Sequence, residues 1–175
     1  MRLLSLALAL FATAAVGTTA AHASCLDMEG PPAGTTAGVG PLLTLPDGQV
    51  SLRAFLSAIG FIPGTGTIVA SNHANGTPVQ ELNLNNVNIA VQPTPAVNSA
   101  DFAYADFGGD VNLAVNGVLL RRADLSFMPA VIGGVNVAVT RVNLFGFHFG
   151  TVTLTGTINQ FAVGGQEFFV DDVCW

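Results

Sequence analysis

Hydrophobic residues alternate with polar or small residues along most of the chain after residue 49, in short runs separated by glycine, asparagine and proline. A period of two is typical of β-strands that bury one face. The clearest runs are residues 87–91, 111–115, 135–139 and 152–158. Because these runs are short and turn residues recur between them, the pattern predicts an all-β fold of many antiparallel strands.

Turn-forming residues mark the places where these strands should reverse or change phase. Asn116 and Gly117 separate two apolar runs, and both residue types tolerate the positive φ that a two-residue type I′ hairpin demands. The alternating positions before and after Asn85 and Asn86 are out of phase with each other. We therefore predict a hairpin turn at the first place and a turn or bulge at the second.

One segment fits two patterns. Its hydrophobic residues are spaced as on one face of a helix, at Leu52, Phe55, Leu56 and Ile59. The same segment also alternates from Val50 onward. We predict a strand followed by an irregular turn, because every neighbouring segment has the β pattern.

The first 23 residues have the pattern of a secretory signal peptide. Arg2 supplies the positive charge, residues 3–16 form the apolar run, and residues 21–23 form a small-x-small cleavage site. Cleavage after Ala23 leaves residues 24–175, the length of a single β-sandwich domain. No later apolar run reaches the roughly 18 residues of a membrane-spanning helix, so we expect a secreted or periplasmic protein without membrane insertion.

The charge balance restricts the partners. Charged residues make up 9% of the chain, the formal net charge is −6, and lysine is absent. Nucleic acid binding needs clustered cations, and Arg121 with Arg122 is the single adjacent basic pair in the sequence. The composition therefore disfavours nucleic acid and suits neutral ligands or divalent cations.

The two cysteines lie at the two ends of the mature chain. In an oxidising compartment, Cys25 and Cys174 are expected to form one disulfide bond that makes the termini neighbours. The alternative is that Cys25 carries a lipid. We favour the disulfide, because His22 occupies the position where a lipoprotein signal normally has leucine.

Acidic residues flank both cysteines. If the cysteines are bridged, Asp27 and Glu29 come close to Asp171 and Asp172. Four neighbouring carboxylates repel one another unless a cation lies between them, and oxygen ligands suit Ca²⁺. We therefore expect a structural calcium site here. The alternative is that successive carboxylates point to opposite faces and are simply solvated.

A second polar cluster lies between residues 101 and 110. It combines one aromatic ring with three carboxylates, namely Asp101, Tyr104, Asp106 and Asp110. Rings stack on sugar CH groups and carboxylates accept hydroxyl protons, so these residues are candidates for a ligand-binding site. The alternative is an ordinary strand that leads into an acidic turn.

Both ends of the chain resemble a group of secreted bacterial proteins of no assigned activity. The start has Cys-x-Asp-x-Glu at residues 25–29, and the end has Gly-Gly-Gln-Glu at 164–167 and Asp-Asp-Val-Cys at 171–174. Met28 stands where that group usually has an aromatic residue. The resemblance implies an antiparallel β-sandwich of jelly-roll, galactose-binding-like type, similar to carbohydrate-binding modules.

Together these features predict a secreted, non-catalytic binding protein whose ligand is an extracellular glycan. A structural or adhesive protein is the alternative, because sheet edges and a row of threonines could contact other proteins. A polysaccharide hydrolase that uses carboxylates such as Asp106 and Glu167 is a weaker alternative, since glycosidases need two carboxylates across a cleft.

Overall fold

The computed structural model describes residues 24–74 and 80–175. The predicted signal peptide lies outside these residues. In the described part the one helix is a 3₁₀ turn at Leu125–Phe127, and no helix is long and apolar enough to cross a membrane. In chain order the strands are β1 (Cys25–Leu26), β2 (Thr36–Gly38), β3 (Gly40–Leu45), β4 (Gly48–Ser57), β5 (Gly60–Ile62), β6 (Thr65–Val69), β7 (Glu81–Asn85), β8 (Val87–Pro93), β9 (Val97–Asp106), β10 (Val111–Val115), β11 (Val118–Arg122), β12 (Val131–Ile132), β13 (Val135–Val139), β14 (Val142–Leu144), β15 (Phe147–Ile158), β16 (Phe161–Gly165) and β17 (Phe168–Cys174).

The strands form two antiparallel sheets, which confirms the all-β prediction and the antiparallel β-sandwich. The larger sheet has the order β12-β13-β15-β9-β17-β7-β6-β2, with β1 paired to β17 and β14 paired to β15. The smaller sheet has the order β11-β10-β16-β8-β4-β3, with β5 paired to β4. Strand β9 lies near the middle of the larger sheet, between β15 and β17.

The core lies between the two sheets and is built by the predicted alternation. Phe102 and Leu154 come from the larger sheet and Leu113 and Ile89 from the smaller one, and all four are at most 1% exposed. Trp175 closes the core at the end of the chain and is also 1% exposed. Each strand of the larger sheet therefore has an inner face toward this core and an outer face on the opposite side.

The local predictions about turns and strands are confirmed. Asn116 and Gly117 connect β10 to β11 with φ of 48° and 85°. Asn86 separates β7 from β8 with φ of 54°, at the predicted change of phase. The segment with two patterns is β4, followed by a reversal into β5.

The predicted disulfide is also present. Cys25 and Cys174 are bonded, and they are register partners where β1 pairs with β17. The backbones of Ser24 and Trp175 add two hydrogen bonds of 3.0 and 2.9 Å beyond the bridge. The two ends of the described chain are therefore neighbours.

Candidate functional site

Strand alternation divides the middle of the larger sheet into two chemically different faces. On β9, Asp106 is the register partner of His148 on β15, and both residues lie on the inner face of the sheet. The next residue back, Ala105, is the partner of Phe149 and Phe169 on the outer face. Neighbouring residues in the sequence thus supply a polar inner cluster and an aromatic outer surface.

This alternation separates the four residues of the ligand site predicted at residues 101–110. Tyr104 is 0% exposed and stacks on Phe168 with ring centroids 5.8 Å apart, so its ring is not available to a ligand. Asp106 is also buried on the inner face, whereas Asp101 has the opposite parity. Asp110 forms an ion pair with Arg121 in the turn beyond β9.

Among the carboxylates predicted to bind calcium, those of Asp27, Glu29 and Asp171 each accept a backbone hydrogen bond. Asp27 Oδ1 accepts a hydrogen bond from the backbone N–H of Glu29 at 3.1 Å, and Glu29 Oε1 accepts one from Gln80 at 2.8 Å. Asp171 is 2% exposed, and its Oδ1 accepts from the backbone N–H of Asp172 at 2.8 Å. Calcium binding at the joined termini stays a prediction.

Asp171 carries the clearest electrostatic effect at this end of the sheet. Burial, together with the nearby charges of Asp172, Glu81 and Glu29, raises the pKa of its carboxyl to about 7, against the lowering effect of the hydrogen bond from the Asp172 backbone. Like charges and low solvation both favour the protonated form of an acid. Asp171 is therefore a buried acid that keeps its proton toward neutral pH.

Glu81 fastens the segment of residues 71–74 across the outer face of the larger sheet. Its side chain is fully buried, and Oε1 accepts hydrogen bonds from Ser71 Oγ at 2.5 Å and from the backbone N–H of His73 at 3.0 Å. His73 Nδ1 lies 2.6 Å from the same oxygen, and Oε2 accepts from the backbone N–H of Ala74 at 2.7 Å. This set of contacts fixes the position of the imidazole ring.

The imidazole belongs to a group of five rings that we call the aromatic platform. The His73 ring centroid is 5.0 Å from that of Phe107 and 4.7 Å from that of Phe169. Phe107 is also 4.6 Å from Phe147, 6.0 Å from Phe149 and 5.2 Å from Phe169. Phe147 is 37% exposed and the other rings are half-buried, so the platform has faces open to solvent.

Beside the platform lies a groove of about 580 Å³, which we call the outer groove. Its floor contains the small residues Ala103 and Gly150 together with Thr151, and Phe149 of the platform contributes to its lining. One wall is residues 72–74 and the other includes Thr140. The hydroxyls of Thr140 and Thr151 lie 2.8 Å apart and add polar groups to an otherwise largely apolar surface.

On the inner face, Asp106, Asp124 and His148 form a second cluster. Each offers a metal-ligating atom, and these atoms lie within 4.8 Å of one another. Asp124 N-caps the 3₁₀ turn, because its Oδ1 accepts from the backbone N–H of Ser126 at 2.6 Å. Its Oδ2 lies beside His148 Nδ1 and 3.2 Å from Arg141 Nε.

Burial changes the acidities around this inner cluster. Desolvation raises the pKa of Asp106, and the nearby Asp124 charge raises it further. Burial, with the charges of Asp124 and Asp106, raises the pKa of Tyr104 to about 12, and its hydroxyl donates to the Thr140 carbonyl at 3.2 Å. Tyr104 is therefore a neutral structural hydroxyl at any ordinary pH.

No protein-family model, curated protein or solved structure matches this chain. The resemblance at its two ends therefore stays a prediction, and the chemistry of the sites rests on the residues themselves.

Proposed function

We propose that this chain is a secreted, non-catalytic binding protein, a jelly-roll type β-sandwich that takes a neutral glycan on the outer face of its larger sheet. The observation that carries the proposal is the aromatic platform beside the outer groove. Glycan recognition commonly combines ring faces, which pack on sugar CH groups, with a few polar side chains that orient the hydroxyls.

Polar side chains flank the platform in the register of the sheet. Asn83 is the register partner of Phe169 on one side and of Thr67 on the other. Asn72 and Thr151 line the outer groove beside the rings. Amide and hydroxyl groups next to a ring surface are suited to a ligand that is rich in hydroxyls.

The charges near the platform favour a neutral ligand. None of the residues that line the outer groove is an arginine, and the chain carries a formal net charge of −6. An anionic polymer would meet no compensating cation there. Both carboxylate oxygens of Glu81 already accept hydrogen bonds from residues 71–74, so Glu81 does not add a free charge to the surface.

The same surface supports binding more than hydrolysis. Neither Asp106 nor Glu167 lines the outer groove, and no carboxylate does so. Glycosidases canonically place two carboxylates on either side of the scissile bond. This is why we propose a non-catalytic role.

A matched pair of phenylalanines tests the proposal. Phe147 belongs to the platform, whereas Phe145, two residues away at the tip of the same hairpin, is 90% exposed. We expect Phe147→Ala to weaken binding of a neutral polysaccharide by about tenfold, because the lost stacking contact is worth on the order of 1.4 kcal/mol. Isothermal titration against a glycan panel measures this effect.

Phe145 supplies the control, and a second platform residue, Phe149, supplies a further test. Phe145→Ala should bind as tightly as the unmodified chain, and Phe149→Ala should weaken binding as Phe147→Ala does. If no neutral glycan binds, or if the two platform variants bind normally, the proposed ligand surface is wrong.

A second candidate function is adhesion to other proteins, and the tip of the β14–β15 hairpin favours it. Phe145 is 90% exposed, Val142 63% and Leu144 52%. Apolar side chains clustered at one projecting tip are typical of protein-contact surfaces. In this case sedimentation velocity should show concentration-dependent association that Phe145→Ser abolishes, while glycan binding is absent.

A further inference from the structure

Two carboxylate oxygens of the inner cluster are buried without a hydrogen bond. Asp106 is 2% exposed, and its Oδ1 accepts from the backbone N–H of Gly108 at 2.9 Å while its Oδ2 has no partner. Asp124 Oδ2 is close to His148 and Arg141, but neither contact has hydrogen-bond geometry. A buried carboxylate oxygen with unfilled lone pairs is costly, so Asp106 Oδ2 in particular has unused capacity for a cation.

The side chains around these oxygens are held by the fold. Asp106 and His148 are register partners at the ends of β9 and β15. Asp124 is fixed by its capping bond to Ser126. Each of the three acidic or imidazole side chains already places a ligand atom within 4.8 Å of the other two. Binding of an ion at the roughly 2 Å ligand distance of zinc therefore needs a further approach of these three side chains.

We propose that Asp106, Asp124 and His148 bind a divalent transition metal ion of the zinc class. Two carboxylates and one imidazole nitrogen suit this class, whereas calcium takes oxygen ligands throughout. Three protein ligands leave a further coordination position for water. The site is separate from the calcium site predicted at the joined termini, and it does not depend on the proposed glycan binding.

Arg141 gives this site a built-in competitor. Its Nε lies 3.2 Å from Asp124 Oδ2, and its Nη2 contacts His148 Nε2. The guanidinium therefore supplies part of the positive charge that a metal ion would supply. A metal ion and Arg141 should compete for Asp124, so removal of the guanidinium should strengthen metal binding.

The exposure of these side chains defines a path of entry. The Asp124 side chain is 3% exposed, whereas those of His148 and Arg141 are 19% and 33% exposed. An ion can reach the buried carboxylates past the imidazole once Arg141 turns aside. The partly exposed His148 is therefore the first ligand that the ion meets.

Zinc titration of the full chain, purified without reductant and stripped of metal with a chelator, tests the proposal. Competition with a chromophoric chelator gives the stoichiometry and the affinity. We expect one zinc ion per chain, with affinity at least about tenfold weaker in Asp106→Asn and in His148→Gln, since loss of even a supporting group costs this much. Arg141→Gln should bind zinc more tightly than the unmodified chain.

The controls separate this site from other acidic groups. Asp110→Asn removes a carboxylate from the adjacent turn, where it is paired with Arg121, and should leave zinc affinity unchanged. Calcium alone should show no saturable binding that these substitutions abolish. Circular dichroism verifies folding, and His148→Gln serves as the ligand variant if Asp106→Asn does not fold.

Three results would overturn the proposal. The first is absence of saturable zinc binding by both the unmodified chain and Arg141→Gln. The second is zinc binding that survives both ligand substitutions. The third is weaker binding in Arg141→Gln, because that result makes the guanidinium a support of the cluster instead of a competitor.

Discussion

Two buried carboxylate groups on opposite faces of the larger sheet differ in how completely they are satisfied. Glu81, on the outer face, accepts hydrogen bonds on both oxygens and contacts the His73 imidazole. Asp106, on the inner face, has one oxygen without a hydrogen bond, and it neighbours Asp124, whose Oδ2 has ion-pair contacts with His148 and Arg141 but no hydrogen bond. Both groups are at most 2% exposed, so burial alone does not separate them.

The comparison separates a structural carboxylate from a candidate binding site. A buried carboxylate whose lone pairs are filled stabilises the segments that donate to it. A buried carboxylate with unfilled lone pairs costs free energy unless a proton or a cation is added. Glu81 therefore anchors residues 71–74 and positions His73, whereas Asp106 and Asp124 are suited to a ligand.

The largest effect should come from Glu81. Glu81→Ala removes the acceptor for the hydroxyl of Ser71 and for the backbone N–H groups of His73 and Ala74. Each buried donor left without an acceptor costs about 1–3 kcal/mol, and urea unfolding should measure the loss as a lower midpoint with an unchanged slope.

A conservative control completes this experiment. Glu81→Gln keeps one carbonyl acceptor at the same position and should lose less stability than Glu81→Ala. If Glu81→Ala lowers the free energy of unfolding by less than about 1 kcal/mol, Glu81 does not anchor the segment, and the contrast with Asp106 fails.

The features that could be predicted from the sequence are those that do not depend on which strands pair. Asn116 and Gly117 predicted a hairpin because their backbone preferences are local. The disulfide between Cys25 and Cys174 followed from their positions and the expected compartment. The all-β class followed from alternation, which does not require knowledge of the pairing partners.

The candidate sites could not be predicted because they depend on which strands pair and in which register. Asp101 and Asp106 belong to the same polar cluster in the sequence, but they have opposite parity and so lie on opposite faces of β9. This parity was visible in the sequence. The contact of Asp106 with His148 was not, because it depends on the pairing of β9 with β15. Asp124 lies outside the strands, where no hydrophobic alternation indicates the position of a side chain.

The next largest effect should come from Asp171, which is buried beside Glu81 but keeps a raised pKa of about 7. In the unfolded chain an aspartate loses its proton near pH 3.9. The folded chain therefore binds more protons than the unfolded chain between about pH 4 and pH 7, and stability should fall as the pH rises through this range.

Asp171→Asn tests this dependence, because an amide does not titrate. The variant should lose the part of the pH dependence that arises at this position and should be more stable than the unmodified chain at pH 8. Urea unfolding at pH 5 and pH 8 measures both effects. The same decline in stability in both proteins would show that Asp171 is not its source. Asp172, Glu81 and Glu29 face Asp171 and would then be the groups to substitute.

The smallest loss of stability should come from substituting Asp106 in the metal-free chain. This experiment tests the contrast between Glu81 and Asp106 most directly. Asp106→Asn keeps the acceptor for the backbone N–H of Gly108 and removes a charge that lies close to Asp124. The substitution should leave the free energy of unfolding at pH 7 within about 1 kcal/mol of that of the unmodified chain, because the lost Oδ2 had no hydrogen bond. A loss as large as that of Glu81→Ala would contradict this expectation, since it would show that Asp106 anchors the fold in the metal-free state. A different outcome is that the substitution costs little stability without zinc and more with saturating zinc. That result would show that Asp106 stabilises the folded chain through its contact with the bound ion, because a ligand stabilises the folded chain only through the contacts it makes there.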